Sequence, residues 1–353
     1  MSLGEFEVIR RYFSKSTARS DVLLGVGDDA AVLCVPADRR LVVTVDTIVE
    51  GVHFPDGTSA ADIGYRALAV NLSDLAAMGA QPAWFTLALS IPQAHETWLE
   101  GFARSLFDLA TRYHLELIGG DTVRGPLVIT VQAMGLTPTD GWLTRSGAKP
   151  GDALYVSGIP GEAAAGLQVI QTTMPETATS QRLVQRFLRP SPRIELGQAL
   201  RRVASAAMDI SDGLLIDLEK LCVASHCGAA VELQSLPYSN PMHDVFDAAA
   251  CERFALSGGD DYELLFTVPP QQETEFSRLA VDTPCHRIGR IVSGSGDEKT
   301  RNFIPDDSRV VMDTQLPRAG AADVYTGQCN DRRDCKLRRQ SQALNQQQHR
   351  NGD

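Results

Sequence analysis

Four short acidic sequences, each set among glycines or small residues, are spread over most of the chain. They are Gly25-Val26-Gly27-Asp28-Asp29, Asn71-Leu72-Ser73-Asp74, Gly119-Gly120-Asp121-Thr122 and Asp209-Ile210-Ser211-Asp212-Gly213. One Gly-Asp pair alone is only a turn former. Together they constrain the fold, because apolar, strand-like runs lie directly against them: residues 41–45 lead into Asp46, residues 114–118 lead into Gly119, and residues 127–131 follow. Functional groups of α/β proteins gather at such strand ends and the loops beyond. Carboxylates at these turns are the oxygen ligands that hard divalent cations require, and Mg²⁺ usually shares them with water and a phosphate chain. The pattern points to metal-assisted phosphate chemistry.

With 353 residues the chain exceeds one ordinary domain, so two domains of about 150 residues are expected. No run approaches the roughly 20 apolar residues of a spanning helix, and Met1-Ser2-Leu3-Gly4-Glu5-Phe6 lacks the basic start of a signal peptide, which predicts a cytoplasmic location. The seven cysteines are scattered without a Cys-x-x-Cys pair, which argues for free thiols and against a zinc site. A net charge of −11 excludes non-specific nucleic-acid binding, which needs basic neutralisation of phosphates. An acidic body that accepts polyphosphate needs divalent metal as intermediary.

The opening residues 5–13 carry helical periodicity. Residues 30–35 and 41–45 predict two strands joined as a hairpin by Pro36-Ala37-Asp38. A long helix follows over residues 59–80, then a strand at 84–91 and a helix at 96–113. Turn residues cluster at 145–152 and mark a domain boundary. Beyond it the alternation restarts, with a strand at 153–157, helices from Glu162 and Arg193, and a helix over 214–226 after the Asp-Ile-Ser-Asp-Gly loop. Two consecutive α/β domains fit this order. After Ile291 the pattern deteriorates, with one candidate strand at 309–312. Residues 331–353, with six Lys or Arg against three Asp and five Gln, are expected to be disordered and dispensable.

No Walker-type Gly-x-x-x-x-Gly-Lys-Ser/Thr sequence occurs, and Gly25-x-Gly27 lacks the third glycine of a dinucleotide turn. ATP would therefore be held by metals and backbone turns. Phosphoryl transfer tolerates this, because it depends mainly on in-line positioning and charge neutralisation.

The order Gly-Val-Gly-Asp-Asp-Ala-Ala, Thr44-Val45-Asp46, Gly51-Val52-His53-Phe54, Asn71-Leu72-Ser73-Asp74, Gly119-Gly120-Asp121-Thr122, Thr144-Arg145-Ser146-Gly147, Leu188-Arg189-Pro190-Ser191-Pro192-Arg193, Asp209-Ile210-Ser211-Asp212-Gly213 and Ser257-Gly258-Gly259-Asp260-Asp261-Tyr262-Glu263-Leu264 resembles the thiamine-monophosphate kinase family over residues 4–292. The resemblance implies ATP-dependent phosphorylation of thiamine phosphate to thiamine diphosphate, assisted by several Mg²⁺ ions. It implies that Asp29, Thr44, Asp46, Asp74, Asp121, Asp209 and Asp212 hold metal. Gly120, Asp121, Arg145 and Ser211 would contact ATP, while His53, Asp260 and, more weakly, Tyr325 would contact the thiamine phosphate. No protein base is implied. An α/β (α+β) fold of two domains is implied, with residues 1–145 forming a dimer-interface barrel that carries metal and ATP. Residues 146–315 would complete the site, 316–353 forming an atypical tail, and the protein would be a homodimer.

Three departures qualify the match. Val45 replaces a hydroxyl residue of some relatives, Asp260 is one methylene shorter than the frequent Glu, and the family's aromatic C-terminal ending is absent, leaving Tyr325 as its candidate replacement. Two other readings stand beside the kinase. One is a sister ATP-dependent synthetase or dehydratase. The other is a structural Ca²⁺ binder, which the absence of an Asp-x-Asp-x-Asp-Gly loop disfavours.

Overall fold

Residues 4–14, 18–279 and 281–294 of the chain, and the backbone of two strands at 302–306 and 309–313, are described by a computed structural model. The first half comprises helix α1 (Glu5–Val8), continued by a π-turn to Phe13, then strands β1 (Val22–Leu24), β2 (Val32–Leu33) and β3 (Arg39–Val49). Helix α2 (Ala60–Ala77), strand β4 (Gln81–Ile91), helix α3 (Glu96–Arg112) and strands β5 (Glu116–Arg124) and β6 (Val128–Pro138) follow. The Ser59 side chain accepts the Asp62 N–H and starts α2. Leu68, Leu72, Leu75 and Ala76 of α2 are fully buried. The helix is apolar almost all round because α3, the sheet and the second half cover it from different sides.

The first sheet has the order β3-β6-β4-β5, antiparallel except for the parallel pair β4–β5. Within one chain this four-stranded sheet stays open and packs against the helices. One expectation needs correction: the first two predicted strands do not form a hairpin, since β2 pairs with β1, Val22 opposite Leu33. Strand β3 instead pairs over all of its 11 residues with β6, from Arg39 opposite Pro138 to Val49 opposite Val128.

The second half comprises β7 (Ala153–Ser157), α4 (Glu162–Gln171), α5 (Ala178–Leu188), α6 (Ile194–Leu200), β8 (Ala206–Ile210) and α7 (Leu214–Ser225). Then come β9 (Gly228–Glu232), α8 (Asn240–Val245), α9 (Ala248–Ser257), β10 (Glu263–Val268), α10 (Glu273–Phe276), β11 (Cys285–Val292), β12 (Asn302–Asp306) and β13 (Arg309–Asp313). Its antiparallel sheet runs β12-β13-β9-β11-β7-β10-β8. The candidate strand at 309–312 lies within β13, on β9. Helix α5 had no counterpart in the sequence reading; a Thr177–Ser180 capping box opens it, and it buries only Ser180, Leu183 and Phe187. Among the described residues no helix is long and apolar enough to cross a membrane. Tyr325 and the tail lie outside the described residues.

Candidate functional site

Strand alternation puts Thr44 and Asp46 on one face of β3 and leaves Val43 and Val45 exposed on the other. The inner pair meets the polar stretch of α2. The Thr44 hydroxyl donates to the Asp74 carboxylate, and the Asp46 N–H donates to Asn71 Oδ1 at 3.1 Å. Asn71 is itself anchored by its Nδ2 donating to the Ala67 carbonyl. One residue before Asp74, the buried Ser73 hydroxyl donates to Asp209 Oδ2 at 2.8 Å. Asp209 is the penultimate residue of β8, so this bond joins the two halves of the chain.

These carboxylates crowd one another. Burial, then the charge of Asp74, pushes Asp46 up to about 6. Burial raises Asp74 as well, against the Thr44 hydrogen bond and the charge of Arg145. Burial, then the negative charges of Asp74, Asp217 and Asp46, pushes Asp209 up to about 7 despite the Ser73 bond. Among the described residues no three His, Cys, Asp or Glu side chains converge on one coordination point.

The loop that follows Asp209 is held from below. Asp217, fully buried on α7, accepts the N–H groups of Ser211 and Asp212 at 2.9 Å and of Gly213 at 3.2 Å, all on Oδ2. Lys220 bridges Asp217 and Asp212. Above this loop lies the segment before β10: the Asp260 N–H donates to the Ser211 carbonyl at 2.9 Å and the Tyr262 N–H to the Ile210 carbonyl at 2.8 Å. Only glycine fits at 259, where a Cβ would stand 2.7 Å from the Ser211 carbonyl oxygen. Asp260 and Tyr262 both take left-handed backbone angles, φ 70° and 52°. The buried Arg66 of α2 donates to Asp260 Oδ1.

Of the residues singled out in the sequence, Thr44, Asp46, Asp74 and Asp209 are brought together. The exposed Arg145 is close enough for its charge to act on Asp74. Ser211, Asp212 and Asp260 adjoin them through the two linked loops. Gly120 and Asp121 line a cleft with Ile9, Phe13, Val26, Leu87 and Thr122. A Cβ at position 120 would meet the Leu87 carbonyl oxygen at 2.0 Å, so the strand pair requires glycine there. Asp29 is exposed, and the Asp28 carboxylate accepts its N–H at 2.8 Å, a local turn. His53 stands in the turn that ends β3, its Nδ1 accepting the Val49 N–H at 3.1 Å. That bond leaves Nε2 as the donor of the neutral ring.

Arg66, Ser73, Asp217 and Lys220 were not singled out. Asp217 had a signal, an acid in the first turn of the helix after an Asp-Gly loop. Arg66 had a fainter one, a lone cation in an apolar helix.

Models of AIR synthase related proteins match both halves, the N-terminal domain at residues 27–137 and the C-terminal domain at 149–300. Fold and site thus define a two-domain α/β protein of the AIR synthase related class. Within it, the chain is 49% identical over 320 residues to thiamine-monophosphate kinase of Salmonella typhimurium strain LT2, covering 89% of this chain and 97% of that protein. It superposes on the crystal structure of thiamine-monophosphate kinase from Stenotrophomonas maltophilia K279a with a TM-score of 0.78 and 48% identity, covering 84% and 96% of the two chains. AaThiL complexed with AMPPCP and TMP is similar at a TM-score of 0.68 and 32% identity, over 74% and 84%. The chain belongs to the thiamine-monophosphate kinase family.

Proposed function

We propose that the protein transfers the γ-phosphoryl group of ATP to the phosphate of thiamine monophosphate, giving thiamine diphosphate and ADP. The observation that carries this is the meeting of Thr44, Asp46 and Asp74 from one half with Asp209 from the other, in a chain half identical to kinases of this specificity. A relative at 32% identity that is complexed with AMPPCP and TMP supports the pairing of nucleotide and acceptor.

The donor set fits Mg²⁺. Asp46 and Asp209 offer carboxylate oxygens whose charged forms are disfavoured by burial and by the charge of Asp74, a condition that a bound cation would relieve. Asp46, Asp74 and Asp209 would hold ions with Thr44 and Asp212, and Asp29 and Asp121 would complete the set through phosphate and water. Bound magnesium would neutralise the phosphate oxygens that developing charge loads in the transition state.

The chain's own residues supply position. The exposed Arg145 adds positive charge that acts on Asp74, suited to a polyphosphate. The Ser211 loop is held by Asp217, so it presents a fixed backbone to the nucleotide. Gly120 lets β5 approach β4 closely, which sets Asp121. His53 Nε2 and Asp260 face the acceptor, His53 suited to its phosphate and Asp260 to the cationic or amino end of the thiamine. No side chain acts as base, because the acceptor phosphate is already anionic at neutral pH.

We further propose a division at about residue 145, which the matched ranges 27–137 and 149–300 support. A homodimer is supported by the outer face of β3, where Leu41, Val43 and Val45 are 45%, 49% and 58% exposed on an open edge strand. Free cysteines at 34, 222, 227, 251 and 285 support a reducing, cytoplasmic setting.

Incubation with ATP, Mg²⁺ and thiamine monophosphate should yield thiamine diphosphate. Intact ATP binding without that product would instead favour a sister ATP-dependent enzyme of the class.

A further inference from the structure

Arg66 is the one cation in the buried middle of α2, and its residue is 1% exposed. Its guanidinium donates to the Phe187 carbonyl at the end of α5 and to Asp260 Oδ1 before β10. It also lies over the Phe187 ring at 4.5 Å and near the Tyr262 ring at 5.6 Å. Its Nε has no hydrogen-bond partner among the described residues.

For stability alone this is a poor use of a core position. A buried cation is costly to desolvate, and an unmade buried donor adds to that cost. What the arrangement secures is Asp260. That side chain is 32% exposed, and its backbone is in the left-handed region, φ 70°, which non-glycine residues adopt seldom and aspartate more readily than most. Arg66 and, at 3.4 Å, the Tyr262 hydroxyl both engage Oδ1. Oδ2 has no hydrogen-bond partner among the described residues and is left for a ligand.

We infer that Arg66 is a positioning residue for the acceptor side of the site: it ties Asp260 to α2, so that Oδ2 is presented to thiamine monophosphate in one orientation. This rests on the kinase reading above, in which Asp260 faces the acceptor. Because α2 also carries Asp74, the same helix then sets the metal-binding and acceptor-binding groups relative to each other. The shorter reach of Asp260, compared with glutamate, makes a fixed carboxylate the more necessary.

The test compares steady-state kinetics of the full chain with those of Arg66→Met, Arg66→Lys, Asp260→Asn and the double variant Arg66→Met/Asp260→Asn. Arg66→Met should raise KM for thiamine monophosphate by about tenfold or more while KM for ATP stays within about twofold. Arg66→Lys should recover part of the loss, since it keeps one charged donor. The double variant should be no worse than Asp260→Asn, because both changes remove the same interaction. Equal rises in both KM values, additive losses, or an unchanged acceptor KM would overturn the inference and make Arg66 a packing residue. If Arg66→Met does not fold, Arg66→Lys and its pairing with Asp260→Asn give the same readout. Wild-type protein that neither makes thiamine diphosphate nor binds thiamine monophosphate calorimetrically would sink the kinase reading and this inference together. Wild-type turnover with an unsplit variant response would overturn this inference alone.

Discussion

Ser73 donates its hydroxyl to Asp209 Oδ2 at 2.8 Å, and both residues are buried, so helix α2 of the first half and strand β8 of the second meet at a carboxylate. The carboxylate has no other side-chain donor among the described residues. Ser73→Ala should therefore cost about 1–3 kcal/mol in urea unfolding, the penalty of an unsatisfied buried acceptor. Saturating MgATP should reduce that loss, since a cation at Asp209 would stand in for the missing donor. A loss that is identical with and without MgATP would show that Asp209 is not part of the metal set.

Asp217 is the support of the Asp209–Gly213 loop, with one oxygen receiving three backbone N–H groups. Asp217→Asn halves the acceptor character and turns an NH₂ towards either those donors or Lys220. Turnover should fall and the apparent affinity for MgATP weaken by about tenfold or more, with the acceptor KM little changed. Lys220→Met, which removes only the outer partner, should be far milder. Equal effects of the two variants would place the importance in the Lys220 charge and not in the loop.

Glu263 gives a pH test. Burial works against its charge, but the hydrogen bond and charge of Arg193, the charge of Arg186 and the Ser157 hydroxyl outweigh this and hold the carboxyl below the usual glutamate range. A depressed folded pKa means that the stabilisation is complete above the unfolded value of about 4.3 and is lost as pH falls through the folded one. Asp261, pushed up to about 8 by burial, slopes the other way and loses stability as pH rises towards that value. The difference between wild type and Glu263→Gln isolates the first group. It should be constant at neutral pH, about 3–5 kcal/mol, and shrink only below about pH 4.5. A difference that persists undiminished in acid would mean that packing, not the ion pairs, is lost.

Much of this architecture was legible in the chain. Ser59 and Asp62 followed by an apolar run specify α2, and the alternation along β3 specifies which residues face inward. Helix α5 was not legible because its exposed positions carry Gln181, Arg182 and Gln185, and Arg186 is turned to Glu162 and Glu263, around only two large buried apolar residues. The false hairpin arose because β2 has just two paired residues, too few for alternation to specify a partner. The acidic turns pointed to the place where Thr44, Asp46, Asp74 and Asp209 come together. Their supports, Arg66 to Asp260 and Ser73 to Asp209, join residues 194 and 136 positions apart, and no local spacing encodes such pairs.

The outer face of β3 offers a test of assembly. Val43 is half exposed on an edge strand beside Leu41 and Val45, a patch that a second copy would cover. Val43→Asp should shift the protein from dimer to monomer in sedimentation velocity, because an unpaired charge would be buried at the contact. A wild-type monomer would overturn the homodimer, and a variant that remains dimeric would move the interface elsewhere.

The last prediction separates metal-assisted transfer from catalysis by a protein base. Asp74 is half-buried, bonded by Thr44 and close enough for its charge to act on Asp46 and Asp209, whereas His53 is exposed in a turn and already uses Nδ1 on the Val49 N–H. If charge neutralisation carries the reaction, Asp74→Asn should cut kcat by orders of magnitude and raise the Mg²⁺ concentration needed for half-maximal rate. His53→Ala should then act mainly on binding, raising KM for thiamine monophosphate with kcat largely kept, since one hydrogen bond to a phosphate is worth about 1.5–3 kcal/mol. The pH–rate profile of His53→Ala should also keep its shape, because an acceptor that is already anionic needs no proton removed at neutral pH. Loss of turnover in His53→Ala at unchanged KM, together with a pH–rate profile that changes shape, would assign the imidazole a part in the chemistry and overturn the metal-only account.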